Sequence, residues 1–279
     1  MRSRPHLPNF IGVGPTRTGS TWLHGVLMRR ACLPAHVKET WFFDRYYEKG
    51  LNWYQSLFND CSSPLVGEIG PTYFASPLAR GRIAHDLPQC KILCVLRNPA
   101  ERAYSWFRMQ RRIRAIRDSF EATLTTNTDP QLHEANRYAR RICEWRESFG
   151  VENVGVFFYD DLLANPQAFT DAVTRFLGCG SVPLTPQLLR HLIKNEATRD
   201  CRNPTIAYAG RRLRRWLWSH RQGALVNRLD RYGLWRFCFG GGAIFEAVRA
   251  ETDRSLRTAY RSEIEELESL CNRDLSAWK

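Results

Sequence analysis

The run GPTRTGST at residues 14–21 constrains this chain more than any other feature. Phe10 to Val13 before it reads as a short buried strand. Trp22, Leu23, Val26 and Leu27 after it recur at helical spacing. A loop between a strand and a helix aims backbone N–H groups and the positive end of the helix dipole at an anion. Ser20 and Thr21 add hydroxyl donors, and Arg17 adds a planar fork suited to phosphate oxygens. Gly14 and Gly19 have the spacing of a Walker A loop, but Ser20 stands where a nucleoside triphosphatase needs Lys. The bland alternative is a tight turn that holds nothing.

The remaining pattern extends this unit into a sheet. Leu65 to Glu68 reads as a second strand, Lys91 to Leu96 as a third and Val154 to Tyr159 as a fourth. KILCVL is a continuous apolar run, as in a parallel strand covered on both faces. Helices are expected from about Ala100 to Arg112, from Gln131 to Phe149 with Gly150 as the stop, and from an Asn165 cap with Pro166 in the first turn to near Gly178. Strands alternating with helices imply an α/β fold, a P-loop-like doubly wound parallel sheet flanked by helices. Past Pro186 the alternation stops. Gly240 to Gly242 reads as a flexible break, and Asp253 to Cys271 as an amphipathic helix with Leu256, Tyr260, Ile264, Leu267 and Leu270 on its apolar face. One domain over 1–279, helical at its C-terminal end, accommodates all of this.

A net charge of +13 favours anionic partners. Nucleotides, nucleic acid, acidic glycans and membrane surfaces all qualify. The nine Cys are scattered without a CxxC pair, which reads as free thiols in a reducing compartment. The first residues lack an apolar stretch long enough for a signal peptide, and nowhere do about 18 apolar residues run together, so a cytoplasmic protein is expected. No Walker B-like acid and no His/Cys cluster with ligand spacing appears, so no metal is expected.

RNPAERAYS begins where the third strand ends. Ligands of doubly wound sheets sit at the carboxyl ends of strands. Arg97 is at such an end and Ser105 lies about two turns into the next helix, so both can reach a second phosphate. Two phosphate positions on one sheet fit an adenosine carrying 5' and 3' phosphates. Here the chain resembles the sulfotransferases that use 3'-phosphoadenosine-5'-phosphosulfate (PAPS), especially the bacterial and heparan sulfate type branch. GPTRTGSTWL is similar to that family's 5'-phosphosulfate loop and ILCVLRNPAERAYSWF to its 3'-phosphate motif. KETWFFD with YYEKGLNWY, GEIGPTYFASP and the tail RSEIEELESLCNRDLSAW match further segments, and the likeness is weakest over 205–250.

The resemblance implies transfer of a sulfuryl group from PAPS to an acceptor hydroxyl on a carbohydrate, glycolipid or secondary metabolite, leaving 3'-phosphoadenosine-5'-phosphate (PAP) and needing no metal. It implies that Arg17, Thr18, Gly19, Ser20 and Thr21 bind the 5'-phosphosulfate and that Arg97 and Ser105 bind the 3'-phosphate. Glu39 matches the general base of the glycan sulfotransferases. Such a base takes the acceptor's proton, and apolar neighbours such as Trp41 and Phe42 would raise a carboxylate's pKa toward a useful range. The bland alternative for Glu39 is an ion pair with Lys38 or Arg45. His36, and more weakly His85, compete for the role of base. Lys194, Arg199 and Arg202 fall where the family closes over its nucleotide. The family has Lys where this chain has Arg17, and Arg stabilises charge without giving up a proton. Asn98 replaces the family's usual Asp.

Arg211 to Arg236 is dense in Arg and Trp. It lines the acceptor cleft, lies peripherally on a membrane, or is a solvated helix face whose Trp rings enter the core. No specific nucleic-acid target is implied. Two rivals to the transferase are a P-loop kinase-like phosphotransferase and a catalytically degenerate basic binding module.

Overall fold

Four short parallel strands carry the structure, a computed structural model that describes residues 7–34, 37–58, 63–126, 129–186, 188–189, 199–219 and 222–279. They are β1 (Phe10–Gly12), β2 (Gly67–Ile69), β3 (Lys91–Leu96) and β4 (Val154–Phe158), in the order β2-β1-β3-β4. Ile11 pairs with Glu68 on one side and Ile92 on the other. Strand side chains alternate between faces, and each face has its own core. Ile11, Ile92, Cys94 and Leu96 pack into one apolar cluster; Phe10, Leu93 and Val95 pack into the other. The expected parallel sheet covered on both faces is present.

The helices are α1 (Ser20–Leu27), α2 (Gly50–Gln55), α3 (Pro77–Asp86), α4 (Pro99–Arg112), α5 (Phe120–Thr126), α6 (Tyr138–Phe149), α7 (Tyr159–Ala164), α8 (Pro166–Leu177), α9 (Pro204–Ser219), α10 (Gly223–Arg231), α11 (Leu234–Phe239) and α12 (Ala250–Cys271). α1 and α8 cover one face, through Leu23, Val26, Phe169 and Val173. α3, α6 and α12 cover the other, through Ile83, Ile142, Trp145, Ile264 and Leu267. Local chemistry sets the ends. The Asn165 side chain accepts from the Ala168 N–H, Pro166 opens α8, and Gly178 closes it in the left-handed region at φ 76°.

Four expectations are corrected. α6 starts at Tyr138 rather than Gln131, because residues 134–136 form a separate single turn. Gly241–Ile244 is a strand rather than a flexible break: it pairs antiparallel with Arg199–Cys201. α12 begins at Ala250, earlier than Asp253. Cys32 is disulfide-bonded, so the nine Cys are not all thiols.

The Arg- and Trp-rich stretch becomes α9 to α11, held by a small core of Leu217, Val226, Trp235, Cys238 and Phe239. Trp235 is buried as the bland reading expected, whereas Trp216 is 54% exposed, with Tyr232 and Phe237 exposed as well. No helix among the described residues is long and apolar enough to cross a membrane.

Candidate functional site

A cleft of about 910 Å³ opens at the carboxyl ends of β1 and β3. Arg17, Gly19, Ser20, Thr21, Glu39 and Arg97 all line it, together with Lys38, Trp41, Asp44, Arg45, Gln131 and Tyr159. Residues from five separated parts of the chain therefore meet in one place.

The loop after β1 is pressed against β3. A Cβ on Gly14 would lie 2.5 Å from the Val95 amide nitrogen and 2.7 Å from its carbonyl oxygen, so only glycine fits. Arg17 is held at φ 74° and Gly19 at φ 102°. Such a conformation costs a non-glycine residue of order 1–3 kcal/mol, and at Arg17 the fold sustains it. No side chain caps α1 at Gly19, so the N–H groups of its first turn are left to an outside acceptor. Thr18 is buried and its hydroxyl donates to the Pro15 carbonyl at 2.7 Å, which closes the loop on itself.

Arg102 braces the loop from behind. Its fully buried guanidinium donates to Asn136 Oδ1 (2.5 Å) and to the carbonyls of Thr16, Gln131 and Leu132. Burial lowers its pKa, offset by the surrounding Tyr138 and Tyr260 hydroxyls. It stands inside RNPAERAYS, yet nothing in the sequence separates it from its solvated neighbours.

Arg97 follows β3 with its side chain 12% exposed. Its Nε donates to Glu101, and its guanidinium lies over the Tyr159 ring, 4.7 Å from the centroid. Ser105 is buried on α4 and accepts from Arg17 Nε at 3.0 Å. Residues expected at opposite ends of a nucleotide are thus in direct contact across 88 positions of sequence.

Glu39 and Lys38 enter from the segment after α1. Lys38 Nζ donates to Glu39 Oε1 (3.2 Å), Ser20 Oγ (3.0 Å) and Thr21 Oγ1 (3.3 Å). The ion pair proposed as the bland alternative is therefore formed, but inside the cleft. Phe42 does not line the cleft: it is fully buried and stacks on Tyr54, with ring centroids 4.4 Å apart. Trp41 lines the cleft at φ 50°.

What holds this segment is Glu68, whose role the sequence did not disclose. Its buried carboxyl accepts from Thr40 Oγ1 (2.5 Å), the Thr40 N–H (3.4 Å) and Tyr54 OH (2.9 Å). Burial pushes its pKa up to about 7 against these hydrogen bonds. A Glu inside an otherwise apolar strand was the available signal. Asp44 faces the cleft too; burial raises its pKa although Thr72 donates to it at 2.6 Å.

Of the competing bases, His85 is on α3, 82% exposed on its side chain and bonded to Asp86, away from the cleft. His36 lies outside the described residues, as does Lys194. Arg199 and Arg202 donate to the Gly242 and Gly241 carbonyls and so strap the small antiparallel ribbon; neither lines the cleft. From α9, Arg214 is near enough to be influenced by the charge of Glu39.

Residues 7–208 match the sulfotransferase domain family. The chain is 31% identical over 195 residues to the bifunctional heparan sulfate N-deacetylase/N-sulfotransferase 4 of Mus musculus, which is 62% of this chain and 22% of that protein. It is 29% identical over 198 residues to the bifunctional heparan sulfate N-deacetylase/N-sulfotransferase 1 of Caenorhabditis elegans, covering 65% of this chain and 23% of that protein. The chain thus spans about a fifth of the length of these curated relatives. In fold it is similar to a sulfotransferase from Alicyclobacillus acidocaldarius, with a TM-score of 0.67 at 19% identity, covering 98% of this chain and 99% of that one.

Proposed function

The chain belongs to the sulfotransferase family, and from that premise we propose that it moves a sulfuryl group from PAPS to an acceptor hydroxyl. The observation that carries this reading is the meeting of Arg17, Ser20, Thr21, Glu39 and Arg97 in one cleft at the strand ends. The glycine cradle at Gly14 and the uncapped first turn of α1 suit a 5'-phosphosulfate. When bound, PAPS supplies the activated sulfuryl group and PAP is the product.

Arg17, Ser20 and Thr21 hold the 5' end with their side chains, and Thr18 and Gly19 with their backbone. Arg97 and Ser105 hold the 3'-phosphate. Glu39 takes the proton of the attacking hydroxyl, and Arg17 stabilises the charge left on the 5'-phosphate without giving up a proton. The relatives are named for N-sulfation, so an amine is the second acceptor class to test. A carbohydrate, glycolipid or secondary metabolite is the proposed carrier. Exposed Trp216, Tyr232 and Phe237 among arginines favour peripheral contact with an anionic membrane, which co-sedimentation with phosphatidylserine vesicles would test.

Calorimetric titration with PAP, ADP and AMP, without added metal, tests the donor site. PAP is expected to bind far more tightly than ADP, and Arg97→Ala to abolish the preference. Equal binding of PAP and ADP would overturn the sulfotransferase reading in favour of the kinase-like or binding-module rivals.

A further inference from the structure

The donor loop has a charge problem that its own residues do not solve. Arg17 is its one cationic side chain, and that guanidinium is tied through Nε to Ser105 on α4. The position after Gly19 is Ser20, so the loop has no ammonium of its own where a Walker A loop would carry one.

The fold brings one in from elsewhere. Lys38 is 18 residues from Ser20 and 17 from Thr21, yet its Nζ is within hydrogen-bond distance of both hydroxyls. It reaches them because Glu68 clamps the next residue but one, Thr40, by hydroxyl and by backbone N–H. The chain bends at Lys38, so the two consecutive side chains of Lys38 and Glu39 both face the cleft. The ammonium is thus held between the loop hydroxyls and the Glu39 carboxylate. Its charge is felt beyond them: His24 of α1 is pulled down to about 4, first by burial and then by Lys38.

We propose that Lys38 is the ammonium of the donor site, contacting the 5'-phosphate and coupling its occupancy to the general base. The inference rests on the sulfotransferase reading above and deepens it. In the transfer, a lone pair of the acceptor heteroatom forms the new bond to sulfur, and the acceptor's proton passes to Glu39. The bond from sulfur to the 5'-phosphate oxygen breaks and its electron pair stays on that oxygen. Lys38 donates a hydrogen bond to the phosphate that gains this charge and keeps its proton. As the ammonium turns toward the phosphate it gives up its pairing with Glu39, which leaves that carboxylate to the incoming proton. The donor therefore readies the base, and productive binding is ordered with the donor first.

The test needs no acceptor. PAP and adenosine 3'-phosphate share every group except the 5'-phosphate. Their affinities are measured by calorimetry for the wild type, Lys38→Met, Lys38→Arg, Glu39→Gln and the double variant. Lys38→Met is expected to weaken PAP by about tenfold to a hundredfold, the range of a hydrogen bond to a charged group, and to leave adenosine 3'-phosphate unchanged. Lys38→Arg should recover most of the loss. Glu39→Gln should tighten PAP by roughly threefold, because the competing pair is removed, and that gain should vanish in the Lys38→Met background. Equal losses for both nucleotides would make Lys38 a structural residue and overturn the proposal, as would a Glu39→Gln effect that survives in the double variant. Both outcomes are read only against a wild type that prefers PAP to ADP, so they are distinct from failure of the donor site itself.

Discussion

Replacing Glu68 by Gln tests whether the clamp under the cleft is neutral in the folded protein. The carboxyl is buried between β2 and the Thr40 segment, and its pKa rises from an ordinary 4.5 to about 7, chiefly through burial. Each unit corresponds to about 1.4 kcal/mol, so ionising Glu68 costs the fold about 3 kcal/mol. The sign follows from the direction of the shift. A carboxyl whose folded pKa is raised is fully accommodated below about pH 4.5, and its contribution is lost as the pH rises through about 7. Glutamine keeps one acceptor oxygen, enough for Thr40 or for Tyr54, turns its NH2 donor toward the other hydroxyl, and never ionises. Urea unfolding between pH 4.5 and 8.5 is the assay. The wild type should lose about 3 kcal/mol relative to Glu68→Gln over that span, while an imperfect hydrogen bond in the variant lowers its whole curve by about 1 kcal/mol without changing that difference. Parallel curves for the two proteins would refute the reasoning, since they would mean that Glu68 holds the same charge folded and unfolded.

Two substitutions test the frame of the loop. Gly14→Ala sets a methyl 2.5 Å from the Val95 nitrogen, a backbone atom that β3 cannot move aside; about 3 kcal/mol of stability and most PAP affinity should be lost, by urea unfolding and calorimetry. Arg102→Met removes the donor shared by Thr16, Gln131, Leu132 and Asn136, and of these acceptors the Leu132 carbonyl alone keeps a second donor, the Asn136 amide; a loss on the order of 4 kcal/mol is expected, and less than about 1 kcal/mol would show that the loop stands without its brace.

The elements easiest to read in the sequence were those whose causes are local. KILCVL is a strand over the predicted residues because every position after Lys91 is apolar and both faces are covered. Asn165, Pro166 and Gly178 mark the ends of α8 by cap, ring and left-handed turn, each acting within one helical turn. The start of α6 was misjudged by seven residues, since the pattern from Gln131 is helical in composition while Arg102 draws the Gln131 and Leu132 carbonyls away from a helix. The Gly240–Gly242 stretch looked like a break because its strand partner lies some 40 positions upstream, at Arg199–Cys201.

The site divides in the same way. Residue type, spacing and the adjacency of motif to strand end were enough to select Arg17, Ser20, Thr21 and Arg97, the family resemblance added Glu39, and the fold gathers all five in one cleft. Those signals are short-range and survive in a linear string. The contact of Arg17 with Ser105, the reach of Lys38 to Ser20 and Thr21, the Glu68 clamp on Thr40 and the Arg102 brace join residues 17 to 88 positions apart. Each depends on which strands lie side by side and which way a buried side chain turns, and sequence spacing does not encode either. The sequence by itself determined a strand–loop–helix on a parallel sheet, because backbone geometry and periodicity are properties of neighbours along the chain. Only the tertiary structure decided which charges face one another in the cleft, because that is set by the packing of elements distant in the chain.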